Sequence, residues 1–307
     1  MFDREFKEIE KEIIKALTTF SEQNSIREER LFRKEFHTKF FEKLKNGWNS
    51  NEKIKSSISI KYGLIHNSIH SNNGNKSCEI GDFLFVVKNG DFDYNNLAKS
   101  LLLQVKPCEN KDNNYCQKNI YSNWPDFTFS RPKNALFLND STIPTNININ
   151  KKESQSVYFE YSKENINSAK KYIIKEIKGQ ETDFELYGKK YFSNFLLNLF
   201  FNSEGRPFFY SEECNLTYKK FYNRKNNLNK LLNDYTCGIQ FYDDWDFMIN
   251  SILNYSNGKY ASNVSRQTRT NLNFISLTDN PKTIEEASED DNGLRIIEFQ
   301  IKNKYVG

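Results

Sequence analysis

The sequence predicts an α/β protein with a mixed, mostly antiparallel central sheet. Residues 83–87 and 101–103 are uninterrupted apolar runs, the pattern of central strands covered on both faces. Residues 4–20 and 26–46 repeat their apolar side chains at helical spacing instead, so helices are available to cover such a sheet. Between the two apolar runs, residues 88–96 (KNGDFDYNN) carry an Asn-Gly pair, turn chemistry that makes the flanking strands antiparallel neighbours.

Each element follows from its own spacing. In 4–20 the apolar positions are Phe6, Ile9, Ile13, Ile14 and Leu17; in 26–46 they are Leu31, Phe32, Phe36, Phe40, Phe41 and Leu44, with Gly47 as the expected stop. Residues 56–66 alternate Ile58, Ile60 and Tyr62 and read as a strand. A polar turn is expected at 70–77, a polar helix at 111–122 ended by Pro125, and a strand at 156–162. Beyond Lys163 the texture changes: 165–179, 183–201 and 224–235 read as helices, 295–303 as a last strand, and 278–293, with Pro281 and an acidic run, as a surface loop. The expected division is a core over 1–162 and a mainly helical region over 163–307, packed on the core as one domain.

With 307 residues the chain can bury a large core, and its 26 Phe and 17 Tyr make that core one of rings. The net charge of +4 neither demands nor forbids a polyanionic partner. The five cysteines are odd in number and lack a CxxC spacing, which argues against a disulfide framework and a zinc ribbon and fits a reducing cytoplasm. The start of the chain, MFDREFKEIEKEII, lacks the apolar stretch of a signal peptide, and the greasiest segment, near 195–201, is too short to span a bilayer. A cytoplasmic protein without a membrane partner is expected.

The strand that ends LLLQVKP has a chemical oddity. Gln104 and Lys106 are two residues apart and share a face, and an ammonium at the edge of an apolar core requires an anionic partner or ligand. If the hairpin is centred near residue 93, paired positions sum to about 186, which sets Asp82 opposite Gln104. Glu79 offers a second carboxylate nearby. Hard cations such as Mg²⁺ take oxygen ligands and complete their shell with water and substrate phosphate. Asp82, the Gln104 side-chain oxygen and the Val105 carbonyl supply such oxygens, and Lys106 would orient or help deprotonate a water.

Asp82 followed by Gln104-Val105-Lys106 on the next strand resembles the PD-(D/E)xK nuclease superfamily in its QxK, Mrr-like form. The expected order of helix, three strands, helix and strand resembles that family's restriction-endonuclease-like αβββαβ core, over roughly residues 26–162. The wider pattern, with GLIH, CEIGDFLFVV, LLLQVK and YSNWPDF, resembles restriction-endonuclease-like proteins of bacterial antiviral defence. The resemblance implies a metal-dependent DNA endonuclease using Mg²⁺, with Mn²⁺ as a substitute. Asp82 would be the metal-binding acid, Gln104 would stand where most members have Glu, and Lys106 would be the catalytic lysine. Glu35 is the best match to a further acid on the first helix, with Glu42 the alternative. Two departures stand out: Gln104 removes a charge from the metal site, and EIGD lacks the usual Pro before the acid.

The stretch 217–230 holds Lys219, Lys220, Arg224, Lys225 and Lys230 among Tyr218, Phe221 and Tyr222, without an acid. That mixture suits phosphate contact with base stacking, as well as a solvated helix face. Arg266 and Arg269 are further candidates for phosphate contact. His66 and His70 lack the HExxH context of a zinc site, and no P-loop, GxGxxG or Gly-x-Ser-x-Gly motif is present. Two rivals to an endonuclease remain open. One is a nucleic-acid-binding subunit that has lost cleavage; the other is an interaction or regulatory subunit of a defence complex. DNA, a partner protein of such a complex and a second copy of the chain are the expected partners.

Overall fold

The computed structural model describes residues 2–23, 29–65, 70–73, 76–89, 97–107, 115–123, 128–130, 156–162, 172–178, 185–201, 204–210, 245, 248–250, 252–253, 274–281 and 293–304. The chain opens with α1 (Phe2–Gln23), α2 (Glu29–Glu35), a π-helical turn (Phe36–Phe40) and α3 (Phe41–Ser50). The wider π turn adds a residue to the helical repeat, so that Phe36, His37, Thr38, Phe40 and Phe41 are all buried. Gly47 is not the stop: α3 runs on to Ser50, and the Asn51 N–H donates back to the Gly47 carbonyl. The glycine serves a crossing, since a Cβ there would lie 2.5 Å from Glu12 Oε2 of α1.

The strands are β1 (Ser56–Ile65), β2 (His70–Asn73), β3 (Lys76–Glu79), β4 (Phe83–Asn89), β5 (Leu97–Pro107), β6 (Thr128–Ser130), β7 (Ser156–Tyr161), β8 (Tyr172–Lys178), β9 (Glu185–Tyr191), β10 (Arg206–Phe209), β11 (Phe274–Thr278) and β12 (Leu294–Asn303); α4 (Tyr115–Asn123) and α5 (Phe192–Phe201) lie between them. The main sheet is nine-stranded, in the order β11-β1-β12-β4-β5-β7-β8-β9, with β10 also paired to β5. It is mixed: β12 runs parallel to β4 and β5 parallel to β7, while the other pairs are antiparallel. A small antiparallel sheet, β3-β2-β6, replaces the expected turn at 70–77.

Alternation along the strands divides the core into two layers. Phe83, Phe85, Leu101, Leu103, Val105, Val157 and Phe159 face α1, α2, α3 and α5; Leu84, Val86, Leu102 and Tyr158 face α4 and a second apolar cluster holding Trp245, Met248 and Ile252. Both apolar runs are thus covered on both sides, as the sequence predicts. The first layer is built from rings: Phe32 stacks on Tyr161 at 3.9 Å, Phe36 on Phe40 at 4.7 Å, and Phe159 meets Phe192 at 4.7 Å between centroids.

Three expectations need correction. Segments 172–178 and 185–191 are strands, not helices: Tyr172 and Ile174 are buried while Ile173 and Lys175 are half-buried, a period of two imposed by pairing with β7 and β9. The change of texture at Lys163 is no boundary of the sheet, because β12 is inserted between β1 and β4 and most of the described second half is strand. Cys78 is disulfide-bonded; spacing along the chain does not reveal a cysteine pair that only the fold brings together. The expected helix at 224–235, Pro125 and the acidic run lie outside the described residues. Among the described residues no helix is long and apolar enough to cross a membrane.

Candidate functional site

Strands β4 and β5 pair antiparallel with Phe83 opposite Leu103 and Leu84 opposite Leu102, the register expected from the hairpin. Asp82 stands one position before β4 and is held there by its own backbone. Its N–H donates to the Leu103 carbonyl at 2.8 Å, and its carbonyl accepts from the Arg295 N–H of β12 at 2.9 Å. The residue ahead of it must be small: a Cβ on Gly81 would lie 2.8 Å from the Tyr121 hydroxyl and 3.2 Å from the Leu103 carbonyl. Tyr121 of α4 packs over this corner and donates to the Ile80 carbonyl at 2.9 Å.

The Asp82 side chain is wholly buried, and a buried carboxylate persists only with donors around it. Oδ2 accepts from Gln104 Nε2 at 2.5 Å and from the Val105 N–H at 2.7 Å. Oδ1 accepts from Arg33 Nη1, which reaches in from α2. A carboxylate only accepts, so the Gln104 amide must turn its nitrogen to Asp82. Its oxygen then faces α4, where it accepts from Gln117 Nε2 at 3.0 Å. The result is a buried chain of hydrogen bonds, Arg33 to Asp82 to Gln104 to Gln117, that runs from one helical layer through the end of the sheet to the other.

Lys106 is half-buried two residues beyond Gln104, on the same face of β5. Its backbone neighbour on the parallel strand β7 is Glu160. Glu160 is buried and pairs with Lys175 of β8 at 2.6 Å. Charged groups therefore continue across three strands beside the Asp82 corner. Glu79, half-buried, ends β3 opposite His70. Burial pushes the Tyr121 phenol well above its ordinary range, and the charges of Asp82 and Glu79 push it further, which sets both carboxylates within electrostatic reach of one hydroxyl.

The structure brings Asp82, Gln104 and Val105 into contact and sets Lys106 beside them. Glu35, at the end of α2, ion-pairs with Lys39 one turn on; Arg33, two residues earlier, is the α2 side chain that meets Asp82. Glu42 lies in α3, close enough for its charge to add to the burial that raises the Tyr62 phenol. Lys219, Lys220, Arg224, Lys225, Lys230, Arg266, Arg269 and His66 lie outside the described residues.

The donors at this corner suit a hard cation by chemistry: a carboxylate, an amide oxygen and a backbone carbonyl, with Glu79 as a further acid. The charge balance differs from that of an acidic metal centre, because Arg33 neutralises Asp82 and the Gln104 oxygen is already bonded. Among the described residues no group of three or more His, Cys, Asp and Glu side chains converges as a metal site.

Arg33, Gln117 and Glu160 are the site residues that spacing did not reveal. For Glu160 a signal existed: an acid within the apolar strand SVYFEYS asks for a buried cationic partner just as Lys106 asks for an anionic one. Arg33 and Gln117 sit in ordinary polar surroundings in the sequence and carry no such mark. No protein-family model, no curated protein and no solved structure matches this chain.

Proposed function

We propose that this chain is a DNA endonuclease of the restriction-endonuclease-like type, hydrolysing phosphodiester bonds with Mg²⁺, or Mn²⁺ in its place, as a cytoplasmic effector of antiviral defence. The single observation that carries the reading is the corner itself: Asp82 hydrogen-bonded to the Gln104 side chain and the Val105 N–H, with Lys106 next along the same face of β5. Asp82, the Gln104 oxygen and the Val105 carbonyl would hold the ion, with Glu79 as an additional acid. When bound, the ion would supply charge stabilisation at the phosphoryl group and lower the pKa of a water. Lys106 would orient that water and offer its ammonium to the phosphate. The basic residues of 219–230 and Arg266 and Arg269 would contact the nucleic-acid backbone.

The test is plasmid cleavage with Mg²⁺ and with EDTA, for the parent and Lys106→Ala. The reading requires Mg²⁺-dependent cutting that falls at least about a hundred-fold in the variant, the usual contribution of a positioned acid–base group. Equal cutting by the two proteins overturns it.

One observation favours a second reading, a nucleic-acid-binding subunit of a defence complex without cleavage. Arg33 neutralises the acid on which an ion would depend. This reading requires salt-sensitive DNA binding and no Mg²⁺-dependent product, with or without a partner protein.

A further inference from the structure

Resting on the metal-dependent reading, we propose that Arg33 and the divalent cation compete for Asp82, and that a substrate phosphate draws the guanidinium away and so admits the ion. The donors around Asp82 are not equally free to leave. The Val105 N–H is part of the sheet backbone, and Gln104 is held from behind by Gln117. Arg33 is the donor on a long side chain, and it comes from α2, a helix of only seven residues.

Charge makes the exchange specific. Arg33 and Asp82 together are neutral, so a cation approaching the free protein meets little net attraction. A phosphodiester approaching Lys106 offers Arg33 an alternative acceptor of matching shape, because a guanidinium fork pairs with phosphate oxygens as it does with a carboxylate. Once Arg33 turns to the phosphate, Asp82 regains its charge. Metal and nucleic acid then bind cooperatively, and by linkage each strengthens the other equally. Arg33 is in this sense a positioning residue that ties ion entry to the presence of substrate.

The experiment is Mn²⁺ binding to the full chain, followed by paramagnetic resonance of the free ion, without DNA and with a non-hydrolysable phosphorothioate duplex. Without DNA, Arg33→Gln is expected to bind Mn²⁺ about ten-fold tighter than the parent, in the range of ordinary allosteric couplings. Arg33→Lys, which keeps the charge, is expected to stay near the parent and guards against a variant that merely folds poorly. The duplex should tighten Mn²⁺ binding by the parent and leave Arg33→Gln unchanged. Asp82→Asn in the Arg33→Gln background should abolish the gain. Equal Mn²⁺ affinity for the parent and Arg33→Gln, or no binding by either, overturns the competition. If Arg33→Gln binds more tightly yet no protein cuts DNA, the competition stands and the endonuclease reading fails. If Lys106-dependent cutting occurs while the Arg33 substitution leaves Mn²⁺ affinity unchanged, the reverse holds.

Discussion

Replacing Asp82 by Ala should destabilise the fold as well as alter the site. The carboxylate accepts from Arg33 Nη1, Gln104 Nε2 and the Val105 N–H, and it is wholly buried. Its loss strands a guanidinium that is 9% exposed as a side chain, and breaking one member of a buried ion pair costs about 3–5 kcal/mol. The two amide donors would each lose about 1–3 kcal/mol if nothing replaced the acceptor, but these terms overlap, and water entering the space left behind would recover part of them. A net loss of about 4 kcal/mol is the expected result. Urea unfolding followed by tryptophan fluorescence is a suitable assay, because Trp48 and Trp245 are fully buried. Removing both partners, as Arg33→Met with Asp82→Ala, should cost less than the sum of the single changes by at least about 1 kcal/mol, since no stranded charge remains. A single Asp82→Ala variant within about 1 kcal/mol of the parent, or strictly additive changes, would refute the account of the corner as a closed buried network.

Two further outcomes follow from groups away from this pair. Burial, with the Arg295 charge adding to it, holds the His37 imidazole down at about 3 against an ordinary 6.5. Below pH 6.5 the unfolded chain takes up a proton that the folded chain refuses, so stability falls as the pH drops from 6.5 toward 3. Between pH 7 and pH 5 the loss from this one group is about 2 kcal/mol, and His37→Gln should flatten the pH dependence of urea midpoints by that amount; an unchanged slope would contradict it. Gly205 has φ +81°, and a Cβ there would lie 2.6 Å from Leu199 Cδ1, so Gly205→Ala should lower stability by about 1–2 kcal/mol, read as a lower melting temperature, whereas a neutral substitution would mean that the turn before β10 relaxes freely.

What the sequence made legible was local or repeated. The hairpin chemistry between two apolar runs specified which strands pair, and symmetry about residue 93 placed Asp82 against Gln104 before any coordinates were consulted; the observed pairing of Phe83 with Leu103 has the same sum. Contacts of long range left no comparable trace. Arg33 meets Asp82 across 49 positions of chain, and no periodicity reports such a contact. The helical reading of 172–178 failed for a related reason: YIIKEIK satisfies a helical spacing on paper, but the strands flanking it decide which period is used. The insertion of β12 between β1 and β4 was invisible because a strand pattern says that a segment pairs, and not with what.

That insertion has a consequence for biogenesis. The two strands that β12 separates are synthesised early, yet the slot between them stays open until the polypeptide near residue 300 has left the ribosome. The amide of Arg295, which fixes the Asp82 carbonyl, arrives with it. A nascent chain thus carries β4 with an unfilled edge and an unfinished acidic corner for most of its translation, and such exposed edges recruit chaperones or stray partners. For a protein with the destructive activity proposed above, completion only at release would keep the growing chain harmless.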